Sequence, residues 1–173
     1  MKKAIVDTSS VILLYKSGLL DELIRTYHVS ITASVYKELT VNDYPGSLDI
    51  INHKNKNGLS VVPLTDLDYS NHDRLIAQTN LGRGEMDTII LFDRGCADFI
   101  IIDDKKGAVL CRDSSLPYIN ALLFPRILFL HGYFSKIEFK DYTEKIVRFG
   151  RYSDKIIDFV MNCSREDMKF FLP

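Results

Sequence analysis

The sequence predicts a three-layer α/β/α sandwich around a mainly parallel central sheet. Two short aliphatic runs, Ala4-Ile5-Val6 and Phe99-Ile100-Ile101-Ile102, have the continuous apolar character of strands buried on both faces. Segments of helical spacing alternate with such runs along the chain, the order that βαβ crossovers require. Both runs also end in acids, Asp7 and Asp103-Asp104. In an open α/β sheet the carboxyl ends of the strands face the ligand crevice, so distant acids converge there.

The elements follow in order. Residues 3–7 form the first strand, and Thr8, Ser9 and Ser10 then offer helix-capping side chains. Val11 to Lys16 suits a short buried helix that Gly18 breaks; Leu19, Leu20, Leu23 and Ile24 continue helical spacing to Tyr27. Val29-Ser30-Ile31 is a second strand, and Thr32 caps a helix through Val35, Glu38 and Leu39. Asp43-Tyr44-Pro45-Gly46 reads as a turn, with a short helix at Leu48, Ile50 and Ile51. Val61-Val62-Pro63 is a strand that proline confines to an edge. Asp66 to Gln78 reads as one amphipathic helix and Gly82-Arg83-Gly84 as a loop. Glu85–Arg94 is apolar nearly all round, the mark of a deeply buried helix, with Gly95 at its C′ position. Strand Phe99–Ile102 precedes a helix from Lys105 towards Cys111, then a last short strand at Leu116-Pro117-Tyr118-Ile119. Residues 120–132 form an apolar helix, bent or started by Pro125.

This α/β domain spans residues 1–132. Residues 133–173 read as a helical extension packed on the same domain. Ser135 and Glu138 have capping-box spacing, helices at 136–149 and 153–163 are separated at Gly150, and Ser164 and Asp167 open a final short helix. The extension's aromatics, Tyr142, Phe149, Tyr152, Phe159, Phe170 and Phe171, either pack it down or line a surface for a second copy or a partner.

Composition narrows the function. With 173 residues, 46% hydrophobic and 26% charged, the chain suits a single globular domain. No apolar stretch approaches the roughly 20 residues that span a bilayer. Only a few apolar residues follow Met1-Lys2-Lys3 before Asp7, which is no secretory leader, so a cytoplasmic protein is expected. Cys96, Cys111 and Cys163 have neither zinc-ligand nor redox spacing, and the four histidines are scattered. A net charge of −1, from 22 basic and 23 acidic side chains, is not the footprint of a strong general nucleic-acid binder. It leaves room for a local basic rim, for which Lys105, Lys106 and Arg112 are the candidates.

Asp7, Glu38, Glu85, Asp87, Asp103 and Asp104 flank very apolar elements, where an unpaired charge is expensive. Crowded carboxylates repel unless a cation or proton relieves them, and all-oxygen donor sets suit Mg²⁺ or Mn²⁺. Such ions position water and stabilise attacking and leaving oxygens in phosphodiester displacement.

Four segments resemble, in order and in interval, the signature segments of PIN-domain proteins: Ile5-Val6-Asp7-Thr8-Ser9-Ser10, Val35-Tyr36-Lys37-Glu38-Leu39, Gly84-Glu85-Met86-Asp87-Thr88-Ile89-Ile90-Leu91 and Ile101-Ile102-Asp103-Asp104-Lys105-Lys106-Gly107. The resemblance covers roughly residues 3–132. It implies a metal-dependent nuclease, most often a ribonuclease, and in the VapC-like group the toxin of a toxin–antitoxin pair. By position it implies Asp7 as a direct metal ligand, Thr8 and Ser9 as hydroxyls holding that loop, and Glu38 as the second acid. The third acid is Asp87 by the pattern of an acid before an apolar helix, or Glu85 by the Gly-Glu subgroup. Two residues apart on a helix, they diverge by about 200°. The fourth is Asp104 in preference to Asp103. The expectation is therefore RNA hydrolysis with Mg²⁺ or Mn²⁺ on Asp7, Asp87 and Asp104, Glu38 completing the acidic ring and Lys105, Lys106 or Arg112 on flanking phosphates. An antitoxin partner and a homodimer are the expected assemblies, and a membrane is not a partner.

Competing readings fare worse. A haloacid-dehalogenase-type phosphatase needs a second aspartate two residues after Asp7, where Ser9 stands. A receiver domain wants its acidic pair near the first strand, not late in the chain. A dinucleotide site would place a glycine-rich turn where Asp7 lies. A non-catalytic PIN-fold scaffold binding RNA or protein is the alternative from another class, and it has no need of repelling carboxylates.

Overall fold

A computed structural model describes residues 1–41 and 46–173. The expected turn residues Asp43, Tyr44 and Pro45 lie outside the described residues. Five parallel strands, β1 (Lys3–Val6), β2 (His28–Thr32), β3 (Leu59–Val62), β4 (Phe99–Ile101) and β5 (Tyr118–Ile119), are ordered β3-β2-β1-β4-β5. The chain builds outwards from β1 to β3, then crosses to β4 on the other side. That reversal puts a topological switch point between β1 and β4, paired Ala4 with Phe99 through Val6 with Ile101.

Helices α1 (Thr8–Ser17), α2 (Leu20–Thr26), α3 (Ala33–Thr40), α4 (Ser47–Asn55), α5 (Asp66–Asn71), α6 (Asp73–Gln78), α7 (Arg83–Asp93), α8 (Lys105–Asp113), α9 (Leu123–His131), α10 (Lys136–Phe149) and α11 (Asp154–Asn162) connect and cover the sheet. Strand alternation sorts the aliphatic runs onto two faces. Phe99 and Ile101 join a large core with Leu14, Leu23, Val35 and Phe124, while Ile100 and Ile102 pack on Ile89 of α7 and Cys111 of α8. With both faces covered, the continuous aliphatic runs have their physical reason, and the architecture is the expected α/β/α sandwich.

Several boundaries differ from the sequence expectation. The segment 66–78 is two helices, because His72 leaves helical geometry (φ −114°, ψ 14°) with its ring bound to the Asp68 carbonyl and facing Asp93. α7 begins at Arg83, so Gly84 lies in the helix and not in a loop; Gly82 supplies the extended N-cap backbone. The last strand is only Tyr118–Ile119, β3 begins at Leu59 and stops before Pro63, and the chain ends in a 3₁₀ turn at Lys169–Phe171. Pro125 sits in the first turn of α9, where its missing N–H has no helical acceptor to lose.

Residues beyond 132 share the main core. Phe139, Ile146, Val160, Cys163, Met168 and Leu172 belong to the same cluster as the sheet residues. Tyr27 donates its hydroxyl to the Phe171 carbonyl at 2.5 Å, and Lys2 donates to the Leu172 carbonyl at 2.6 Å. The extension's aromatics divide: Phe171 packs edge-on against Phe99 and Tyr142 stacks on Phe134, whereas Phe149, Phe159 and Phe170 are exposed.

Candidate active site

Asp7 lies where β1 stops. Its backbone N–H donates to the Ile101 carbonyl at 3.0 Å, prolonging the ladder by one residue and fixing Asp7 beside the end of β4. Its side chain caps α1: Oδ1 accepts from the Ser10 N–H at 2.8 Å and Oδ2 from the Ser9 hydroxyl at 2.6 Å. The carboxyl is completely buried. Across the switch point, Asp103 Oδ2 accepts from the Ser10 hydroxyl at 2.7 Å and from the Ala121 N–H at 2.9 Å, and Oδ1 takes a short hydrogen bond from the Tyr152 hydroxyl. Ser10 therefore joins the two acids, its backbone on one and its hydroxyl on the other.

The pair is electrostatically strained. Burial, and then the charge on Asp103, push the Asp7 carboxyl up to about 6 against hydrogen bonds from Ser10 and Ser9 that act the other way. Burial also raises Asp103, countered by its Tyr152, Ser10 and Ala121 donors. The Tyr152 phenol is raised by burial and by the adjacent Asp103 charge, so it stays a donor at neutral pH. Cys111 beneath is pushed up to about 12, first by burial and then by Asp7, and is an inert thiol.

The other acids extend this pair into a rim. Thr8 donates to Glu38 Oε2 at 2.6 Å, which ties α3 to the residue after Asp7. Gly84 makes that approach possible, since a Cβ there would sit 3.1 Å from Thr8 Oγ1 and 3.3 Å from both Glu38 oxygens. Next in α7 is Glu85, whose Cβ lies 3.7 Å from the position a Gly107 Cβ would take. Gly107 in turn donates its N–H to Asp104 Oδ1 at 2.9 Å, and Lys106 donates to the same oxygen at 2.8 Å, so Asp104 caps α8. Hydrogen bonds thus tie Asp7 and Asp103 through Ser10, Glu38 to Thr8, and Asp104 to its own helix, while Gly84 and Gly107 let α7 come close to Glu38 and to α8.

Asp87 is turned elsewhere. Its Oδ1 accepts from the Tyr69 hydroxyl at 3.0 Å and its Oδ2 lies 3.7 Å from Arg83 Nε. It borders a separate cavity of about 430 Å³ with Ile76, Thr79 and Leu81. Because α7 is regular from Arg83, Glu85 and Asp87 diverge as helical geometry requires. Of the basic candidates, Lys106 reaches the Asn80 carbonyl at 3.0 Å, Arg112 pairs with Asp113 at 2.9 Å on the surface, and Lys105 has no ion-pair partner among the described residues.

Ser10 and Tyr152 escaped the sequence reading. Ser10 stood there only as a cap within a hydroxyl run. Tyr152 is 49 residues from Asp103 in an extension without a motif, and only the tertiary fold brings it to the acid.

The donors are all hard oxygens, the chemistry of a Mg²⁺ or Mn²⁺ site, and the buried Asp7 beside Asp103 is a charge conflict that a cation would relieve. Among the described residues no three acids, histidines or cysteines form a ready-made metal cage. Serine, tyrosine and backbone donors hold the carboxylates instead.

Fold and site together define a parallel α/β/α sandwich with acids gathered at its topological switch point. A family model described as a PIN domain matches residues 3–123, and the chain belongs to the PIN-domain family, whose members are generally nucleases. No curated protein matches the chain. No helix among the described residues is long and apolar enough to cross a membrane.

Proposed function

We propose that this protein hydrolyses RNA phosphodiester bonds with a divalent cation, Mg²⁺ or Mn²⁺, held by Asp7, Asp103 and Asp104. Glu38 and Glu85 complete the acidic ring. The observation that carries the reading is the buried Asp7 carboxyl, raised to about 6 by burial and by Asp103 at the sheet's switch point. Glu85 is preferred to Asp87 as the third acid because its carboxylate, which lies over Gly82 at the start of α7, has no hydrogen-bond or ion-pair partner among the described residues, whereas Tyr69 and Arg83 occupy Asp87.

When bound, such a cation supplies charge neutralisation at the phosphate and a lower pKa for the attacking water. Ser9 and the Ser10 N–H fix the orientation of Asp7, and the Ser10 hydroxyl holds Asp103 at a set distance from it. Thr8 occupies Glu38 Oε2. Glu38 Oε1, Asp104 Oδ2 and the Glu85 oxygens have no hydrogen-bond partner among the described residues, and these are the rim oxygens open to accept the proton of the attacking water. Tyr152 holds Asp103 in place and opposes the upward push that burial gives its carboxyl.

The test is cleavage of a fluorescent single-stranded RNA by the parent and by Asp7→Asn under matched Mg²⁺ or Mn²⁺, with Mn²⁺ binding followed by calorimetry. Loss of both cleavage and Mn²⁺ binding is expected. Undiminished cleavage by the variant refutes the proposal. Family membership is what supports a role as a toxin that an antitoxin blocks, and as a homodimer. Growth arrest on expression that Asp7→Asn relieves, and a solution mass twice the 19.8 kDa of one chain, check these parts.

A further inference from the structure

A cavity of about 800 Å³ opens beside the acidic rim, between α8, the edge strand β5 and α11 of the C-terminal extension. We propose that it seats a nucleotide flanking the scissile bond of a single-stranded RNA. This inference rests on the ribonuclease reading and names how its substrate is held.

The wall is unusual for a near-neutral protein. Lys105, Arg112, Arg151 and Lys155 line it, against a single carboxylate, Asp103. Lys105, Arg151 and Lys155 form no ion pair among the described residues. Arg112 is held only by Asp113, an exposed pair that salt screens and a phosphate can replace. Asp154 and Asp158 share α11 with Lys155 but do not border the cavity. The cations are therefore concentrated on the inner wall, where they meet a polyanion.

Between them the wall is apolar and partly wet. Phe159 is 48% exposed, Ile156 38% and Val109 37%, with Tyr118 alongside. Aromatic faces interleaved with cations are the means by which proteins hold unpaired bases. The size is that of a pocket for a drug-sized molecule, room for a base and its sugar but not for a duplex. The cavity is also continuous with the chemistry, because Asp103 and Tyr152 form part of its wall, and Ser10 ties that same Asp103 to Asp7. A strand crossing the acidic rim has its next nucleotide at this opening, and half of the opening is built by the extension.

The experiment is fluorescence anisotropy on the full chain in EDTA, with a fluorescein-labelled octauridylate as probe. In Arg151→Gln/Lys155→Gln, affinity falls and the slope of log K against log salt flattens by about 1.4, two phosphates at about 0.7 each for a single strand. Phe159→Ser weakens binding at least about fivefold and Phe159→Tyr restores it, since one stacked base is worth about 1–3 kcal/mol. An RNA duplex of the same length binds at least tenfold more weakly than the single strand. Unchanged affinity and slope in the double variant overturn the inference. So does equal binding of the duplex, or an acidic Glu/Leu peptide that outcompetes the RNA for the same residues, which assigns the groove to a protein segment. Failure here is distinct from failure of the ribonuclease reading. Cleavage that depends on Asp7 alongside an unaffected double variant refutes the groove alone, and groove-dependent binding with Asp7-independent cleavage refutes the nuclease alone.

Discussion

Asp7→Asn is expected to make the metal-free protein more stable at neutral pH, and the size of the gain follows from the site. The Asp7 carboxyl titrates at about 6 in the folded chain against an ordinary 3.8. That difference of about 2.2 units, at 1.36 kcal/mol each, is about 3 kcal/mol of destabilisation once the group is ionised. The direction is set by proton binding. Between pH 3.8 and 6 the unfolded chain has already released the Asp7 proton while the folded chain retains it, so stability falls as pH rises through this window. Below it both states are protonated and the penalty is absent; above it the full penalty applies. Asparagine carries no charge, keeps an oxygen for the Ser10 N–H and can donate to the Ser9 hydroxyl, at a cost of about 1 kcal/mol for the altered bond. The net gain at pH 7.5 is then about 2 kcal/mol, or roughly 4–8 °C in a chain of this size. Calorimetric unfolding in EDTA from pH 4 to 7.5 measures it. Saturating Mn²⁺ reverses the advantage, because a ligand at 100 times its dissociation constant adds about 2.7 kcal/mol to the parent only. A variant no more stable than the parent at pH 7.5, or an advantage that does not shrink towards pH 4, refutes the conflict between Asp7 and Asp103.

Tyr152→Phe removes the phenol donor to Asp103 and is expected to weaken Mn²⁺ binding and shift the acid limb of the RNA-cleavage pH profile upwards, while far-UV circular dichroism stays unchanged. Glu85→Gln is expected to lower RNA cleavage at least a hundredfold, whereas Asp87→Asn leaves a larger residual rate and mainly lowers the melting temperature; the opposite ranking restores Asp87 as the third acid. Gly107→Ala places a Cβ 2.3 Å from Ile102 Cδ1 in a fully buried core, and overpacking of about 1–3 kcal/mol less about 1 kcal/mol of helix propensity predicts a net loss near 1 kcal/mol in urea unfolding.

The sheet was legible because both of its central strands are buried on two faces and so are written as unbroken aliphatic runs. Acids following Val6 and Ile102 then marked the crevice end without further help. Less legible were features decided by contacts across the fold. Gly84 looked like a loop residue, yet it lies in the first turn of α7, where a Cβ would crowd Thr8 and Glu38 at 3.1–3.3 Å. Asp66 to Gln78 carried one helical pattern, and the His72 ring contacts that divide it involve Asp93 from another helix. Glu85 and Asp87 were indistinguishable by spacing, since only Tyr69 and Arg83 reveal which way Asp87 turns. Tyr152 stood out only as one of the extension's aromatics, because a tyrosine after a glycine break has no local partner that points to Asp103.

The position of Tyr152 changes what the extension is for. Asp7 and Asp103 are held together by the backbone of neighbouring strands, and their repulsion is built into the register of β1 with β4. A buried carboxylate in that position either takes up a proton or finds donors. Ser10 and the Ala121 N–H supply donors from within the sandwich, but Asp103 Oδ1 receives its hydrogen bond from beyond α10. Phe139, Ile146 and Val160 anchor that segment in the sheet's own core, which fixes where the phenol can reach. The extension thus acts on the charge state of the acidic pair as well as on the packing. The same segment carries Arg151 and Lys155 into the wall of the neighbouring groove. Arg151 stands next to Tyr152 in the same loop, so a substitution that displaces this loop is expected to weaken the hydrogen bond from Tyr152 and with it the contact from the extension that opposes the burial-driven rise at Asp103.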